Sequence, residues 1–263
     1  MAEMELAIEG DDQAVHRKQG RRLEVLEAFA RDHRGEGARF ADLLLEVQLR
    51  RVRLFIAQDR RADAVSEARA AQRTLEVRRG RRAVTPTFLY AEAVQNLALA
   101  GADWPVQLVL RMAGLRADGA RGARALKVLL AKDSAYGLEV RYLARTFAVS
   151  PDADTRGPLA YSAELHRRFP ANPQLAFDHA VDLLEAKKPA EAAAALAEPL
   201  ARLTAQPDTW SARIRAKLYW AAGRAALDEG KRHEAERLAE RAAREAPPDV
   251  RDRVRSLKEA LAR

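Results

Sequence analysis

The stretch Ala216 to Asp249, AKLYWAAGRAALDEGKRHEAERLAERAAREAPPD, constrains the fold of this chain more than any other. Gly223 stands inside a helix-forming run, where a residue without a side chain costs helix stability unless another backbone must come close. Gly230 follows seven residues later, where a first helix must stop and the chain reverse. Ala235 and Ala242 then recur seven apart on a second helix, and Pro247 closes the unit. Small residues at these places let two antiparallel helices approach closely, while Leu218, Leu227 and Leu238 cover the seam or the next unit. One such hairpin cannot bury its own apolar face, so further hairpins stacked against it are expected.

In this spacing the segment resembles the tetratricopeptide repeat (TPR), a helix–turn–helix of about 34 residues. Tyr219, Ala222, Gly223 and Ala226 fill the first-helix signature positions, and Ala235, Ala239, Ala242 and Pro247 those of the second helix and its end. Two further stretches share the pattern. Residues 45–77 contain QDRRADAVSEA, with Ala64 and Ala71 seven apart and Val52 in place of the small first-helix residue. Residues 173–206 place Ala180 and Ala192 twelve apart, as Gly223 and Ala235 are. The clearest repeats are thus 45–77, 173–206 and 216–249, followed over 250–263 by a capping helix with Val250, Val254, Leu257 and Leu261 on one face. The resemblance implies an all-α, TPR-like α-solenoid of stacked antiparallel helix pairs, a single helical-repeat domain over 1–263.

The same resemblance implies a non-enzymatic protein–protein interaction scaffold, with a peptide or partner helix held in a concave groove built from first helices. Carried over by register, the groove residues are Glu46, Leu49, Arg53 and Ile56, then Gln174, Phe177, Val181 and Leu184, then Lys217, Trp220, Arg224 and Leu227. Arg53, Phe177, Val181, Lys217, Trp220 and Arg224 are the partner-binding candidates. Some TPR domains clamp a chaperone's acidic C-terminus with Lys and Asn. Trp220 and Arg224 stand where that clamp has Asn, so the implied partner is a protein or peptide of another kind. Trp220 has two readings, a groove anchor or a residue packed on the neighbouring repeat.

Composition fits this reading. Among 263 residues, 48% are hydrophobic and 32% charged, as in a chain of amphipathic helices. The absence of Cys excludes disulfides, thiolate metal sites and Cys nucleophiles. The net charge of +8 raises an alternative function, a nucleic-acid or anion-binding module using the Arg-rich surface. The charge is spread along the chain, and its densest run, RRGRR at Arg78 to Arg82, has no interleaved aromatic residues for base stacking. That run reads as cations at a helix C-terminus stopped by Gly80, so nucleic acid is not the expected partner.

Elsewhere the pattern predicts helices over Gln13–His33, Phe40–Gln58 and Asp59–Val77, one opened by Thr85-Pro86, and one over Trp104–Leu115. The alternatives for VQLVL are a strand before a phosphate loop, or a membrane-surface face including Trp104 and Met112; a core helix is the expectation. Gly114, Gly119 and Gly122 fit neither GxGxxG nor GxxxxGK[ST], and are expected to turn the chain before a helix near Ala123 to Lys132. Asp133-Ser134 is expected to cap a helix ending near Ala148, Gly157-Pro158 to open another, and FPANP to form an inter-repeat turn capped by Asn172. The five His residues stand apart without an HExxH pair, and no GxSxG elbow occurs. No catalytic residue, metal or cofactor is therefore assigned. No apolar run approaches the roughly 20 residues of a membrane span. Met1 to Gly10 is short and acidic, which makes the cytoplasm the expected compartment. The order of units also resembles exported bacterial TPR proteins, which implies the periplasm if the start lies upstream.

Overall fold

Every regular element among the described residues is an α-helix, thirteen in all. The structure is a computed structural model, and it describes residues 13–33, 35–58, 60–80, 84–102, 104–132, 136–147, 157–206 and 210–263. In order the helices are α1 Gln13–Asp32, α2 Ala38–Ala57, α3 Arg61–Arg79, α4 Pro86–Ala100, α5 Trp104–Met112, α6 Gly119–Leu130 and α7 Gly137–Thr146. They continue as α8 Pro158–Arg168, α9 Pro173–Glu185, α10 Pro189–Ala205, α11 Ala212–Asp228, α12 Arg232–Glu245 and α13 Pro248–Leu261. No described helix is long and apolar enough to cross a membrane. The contacts group the chain into two compact units, residues 1–155 and 156–263.

The helix starts follow from local chemistry. Thr85 Oγ1 accepts from the Phe88 N–H and Asn172 Oδ1 from those of Gln174 and Leu175, each satisfying donors that a first turn leaves over. Ser211 caps α11 and Asp118 caps α6 in the same way. Proline stands in the first turn of α4, α8, α9, α10 and α13, where its missing N–H is no loss.

Three hairpin turns share one hydrogen-bond pattern. In each, the last turn residue donates its N–H back five residues: Arg60 to Phe55 at 2.8 Å, Lys188 to Leu183 at 2.9 Å and Lys231 to Ala226 at 2.8 Å. The carbonyls of Arg60, Lys188 and Lys231 then accept from Ala64, Ala192 and Ala235, and all three alanines are buried. The middle residue of the last turn is Gly230 at φ 77°, while its counterpart Lys187 adopts φ 61°. Such a left-handed residue ends a helix by satisfying its final carbonyls.

In the C-terminal unit, each helix from α8 to α13 packs on its neighbour in sequence, and α9, α11 and α13 also touch successively. The core is built of Ala and Leu. Ala180, Ala192, Leu196, Leu218, Ala221, Ala225, Ala235 and Leu257 are at most 1% exposed. Gly223 lies on this seam: a Cβ there would stand 3.0 Å from Leu257 Cδ2 and 3.3 Å from Leu238 Cβ. The expected close crossing is therefore present.

The N-terminal unit is packed differently. α2 packs on α1, α3 and α4, while α4 makes its most extensive contact with α6. Charged residues enter its interior in pairs. Arg78, 1% exposed, meets Asp42 through two bonds of 2.8 and 3.3 Å. Glu92 receives Arg79 and Arg121, both at 2.8 Å. Arg51 bridges Glu27 and Glu67, and burial pushes the Glu67 carboxyl above its ordinary pKa, against the opposing fields of Arg51 and Arg31. Tyr136 donates to Glu46 Oε2 at 3.0 Å, lies 3.0 Å from Thr87 Oγ1, and stacks on Tyr90.

Two sequence expectations are corrected here, and a third falls outside the described residues. Gly119 and Gly122 do not turn the chain; they form the first turns of α6, and only Gly114, at φ 79°, has a turn conformation. Gly122 is needed because a Cβ would meet Asn96 Cβ at 2.9 Å and Leu97 Cγ at 3.0 Å, so α6 lies against α4 where a side chain would not fit. The helix after α6 begins at Gly137 with Tyr136 in the cap position, and Asp133-Ser134 lies outside the described residues. α5 is the expected helix, yet Val109 and Met112 are exposed on it rather than in a core.

Candidate partner-binding face

The residues carried over from the repeat register separate into three groups. Phe177, Val181, Lys217 and Trp220 lie on α9 and α11 of the C-terminal unit, around one cluster of side chains. Arg224, on α11, turns its guanidinium to Asp228 one turn on, at 3.0 and 3.1 Å. That geometry is the ordinary helix ion pair, and it occupies the charge. Arg53 is half-buried on α2, in the N-terminal unit, and does not join this cluster.

The cluster is built on Phe177, whose ring is 4% exposed and is set into the seam between α9 and α11. Trp220 is half-buried beside it, with ring centroids 6.1 Å apart. Two cations lie against these rings. Lys217 Nζ stands 5.5 Å from the Phe177 centroid and donates to Gln174 Oε1 at 3.0 Å. Arg253, from α13, places its guanidinium carbon 5.2 Å from the Trp220 ring and 5.7 Å from that of Phe177. Each such contact contributes about 0.5–1 kcal/mol at an exposed site. Trp220 also donates its indole N–H to the Arg253 carbonyl at 2.8 Å, so it seals α11 against α13 while part of its ring faces solvent.

Sequence reasoning missed Arg253. The residue stands beside Val254 on a helix read only for its apolar stripe of Val250, Val254, Leu257 and Leu261, which does pack on α11 and α12. A usable signal was present: an Arg flanking the buried face of a capping helix is at the right height to reach aromatic residues of the helix it caps. Arg253 is exposed, and it forms no ion pair with any described residue. Its planar donors are therefore available to an incoming carboxylate or carbonyl, with the aromatic pair as an apolar floor beneath.

Two other constellations gather polar side chains. Ser162 Oγ lies 3.1 Å from His179 Nδ1 and donates to the Leu159 carbonyl at 3.1 Å. The hydroxyl is buried, and the tautomer of His179 decides which of the two groups donates across the pair. His166 lies 5.5 Å from His179, ring to ring, and burial lowers its pKa while the nearby Glu198 raises it. Among the described residues no group of three His, Asp or Glu side chains could hold a metal ion. The RRGRR run, meanwhile, is not a solvated anion site at its first two positions: Arg78 and Arg79 are held by Asp42 and Glu92, and residues 81 and 82 lie outside the described residues. Comparisons with family models, curated proteins and solved structures find no match to this chain.

Proposed function

We propose that this chain is a non-enzymatic helical-repeat scaffold of TPR type, holding an extended peptide or partner helix along the first helices of its C-terminal unit. The observation that carries the proposal is the exposed Arg253 guanidinium lying on the Trp220 and Phe177 rings, beside Lys217. Arg and aromatic residues dominate binding hot spots because they combine a large apolar contact with directed donors. The solenoid reading draws support from the three turns with one hydrogen-bond pattern, from the buried alanines that follow them, and from the succession α9, α11, α13 in contact. The alternative, nucleic-acid binding through the Arg-rich surface, has less support, since Arg78 and Arg79 already hold carboxylates.

The experiment selects peptides from a random display library on the full chain and titrates them against wild type and Arg253→Ala. Arg253→Ala is the discriminating variant, because its guanidinium is exposed whereas Trp220 also helps to close α11 on α13. The expected result is at least tenfold weaker peptide binding in a chain that still folds cooperatively, its melting temperature lowered only by the loss of two contacts of about 0.5–1 kcal/mol each. Selected peptides that bind Arg253→Ala as tightly as wild type would refute this site. Nucleic acid that displaces them, with a steep dependence on salt, would favour the alternative.

A further inference from the structure

The outer face of α1 is inverted relative to an ordinary surface helix. Its inward side buries His16, Gln19 and Glu27 along with Leu23 and Ala30. Its outward side exposes Val25 at 69%, Leu26 at 41% and Phe29 at 47%. Lys18, Arg22, Val25 and Phe29 recur at intervals of four, three and four residues, so they form one stripe about 16 Å long. Arg17 and Arg21 flank the stripe at its cationic end and Leu26 at its apolar end. None of Arg17, Lys18, Arg21 and Arg22 makes an ion pair with a described residue. Phe29 is held in place by its neighbours, 4.3 Å from the His33 ring and 5.8 Å from that of Phe40. A ring so held loses little freedom on binding, the condition under which an exposed aromatic contributes most.

We propose that this stripe is a second docking surface, and that its occupant is an amphipathic helix of another protein with its carboxylates at one end and its apolar residues at the other. The argument is charge complementarity together with the order of charges. Cations and apolar residues are separated along the axis of α1, not around it. A helix that lies on a membrane keeps its apolar face along its whole length, with cations beside it. Here the apolar part, Val25 to Phe29, covers about the last turn and a half of the stripe, and the cations, Lys18 to Arg22, cover about as much before it. A partner helix lying along α1 matches both halves at once, with carboxylates against Lys18 and Arg22 and an apolar side chain on Val25 and Phe29. The surface belongs to the N-terminal unit and does not depend on the face around Trp220.

The test uses two synthetic helical peptides of identical composition, titrated by fluorescence anisotropy against the full chain. One has four Glu in its C-terminal half and Leu and Phe in its N-terminal half; the other alternates them along its length. The segregated peptide should bind at least tenfold more tightly, and weaken as salt rises. The double variant Lys18→Glu with Arg22→Glu should lose that binding at least tenfold, and a peptide carrying Lys in place of Glu should restore it. These side chains are exposed, and an unchanged helical spectrum shows that the variant is folded. Equal binding of the two peptides, or no rescue by the reversed peptide, would overturn the proposal. So would tighter binding to phosphatidylserine vesicles that Phe29→Ser abolishes, since the occupant would then be a lipid surface. Binding that emerges only in a chain with Glu3, Glu5 and Glu9 replaced by Gln would assign the stripe to the chain's own first residues instead.

Discussion

Replacing Gly122 by Ala should destabilise the N-terminal unit, although the same change usually strengthens a helix. Relative to Gly, Ala favours a helix interior by about 1 kcal/mol. At Gly122 that gain meets a wall. The added methyl would sit 2.9 Å from Asn96 Cβ and 3.2 Å from the Leu97 backbone nitrogen, and neither atom can swing aside as a side-chain tip could. Asn96 is further held by its own bond to the Glu92 carbonyl at 2.8 Å and by accepting from the Asp118 N–H at 2.9 Å. Backing α6 away from α4 therefore strains the bond that anchors the cap of α6. Overpacking of this kind costs about 1–3 kcal/mol, and the strained cap bond, about 1 kcal/mol, offsets the gain in helix propensity, so a net loss of about 1–3 kcal/mol is expected. Gly20→Ala in α1 is the control, since its methyl would meet only Leu54 Cδ2 at an ordinary 3.7 Å. That variant should gain about 0.5–1 kcal/mol. Both positions lie in residues 1–155, so urea unfolding of that unit reads both. A Gly122→Ala midpoint at or above the parent's would refute the close-approach argument.

Gly223→Leu should cost several kcal/mol in thermal unfolding of the C-terminal unit, because overpacking at about 1–3 kcal/mol is compounded by contacts already at 3.0–3.4 Å; a parental melting temperature would contradict this. Asp42→Ala should cost about 3–5 kcal/mol by leaving the buried Arg78 guanidinium without this carboxylate, measurable by denaturant titration, and a loss below 1 kcal/mol would mean that water reaches Arg78. Tyr136, pushed up to about 12 chiefly by burial and then by the Glu46 charge, should ionise well above the ordinary tyrosine value in an ultraviolet pH scan. Its folded pKa lies above the ordinary 10, so its contribution to stability is complete below pH 10 and is lost as the pH rises through 12. Tyr136→Phe should remove that alkaline phase.

The parts of the fold legible in the sequence are those fixed by a few adjacent residues. Thr85-Pro86, Asn172-Pro173 and Gly230 act through bonds within their own turns, so reading them requires no knowledge of the rest of the chain. Gly223 was legible because its repeat spacing supplied the missing partner. Gly119 and Gly122 lacked such a frame, and a glycine demanded by a neighbouring helix looks in sequence like a glycine demanded by a turn. Arg78 and Arg79 do stand in the last turn of α3 with Gly80 as its cap, as read, but the burial of Arg78 was not legible. A cation at a helix end is usually solvated, and only the position of Asp42, thirty-six residues away, makes this one a core residue. The boundary at residue 155 left no mark distinct from the other Gly- and Pro-bearing connections. Of the candidate face, Phe177, Lys217 and Trp220 were found by register, and Arg253 was not because its role depends on how the last helix docks.

That docking also sets an order of events during synthesis. Packing in the C-terminal unit runs between helices one or two apart in sequence, so each can find its partner soon after it emerges, without waiting for a distant segment. The exception to early closure is the side of α11 and α12 that α13 covers. Ala216, Gly223 and Ala242 face Val250, Val254 and Leu257, so this apolar strip stays open until α13 itself leaves the ribosome. A nascent chain stalled before Pro248 would present a nearly finished unit with one greasy flank, the form most exposed to chaperones and proteases.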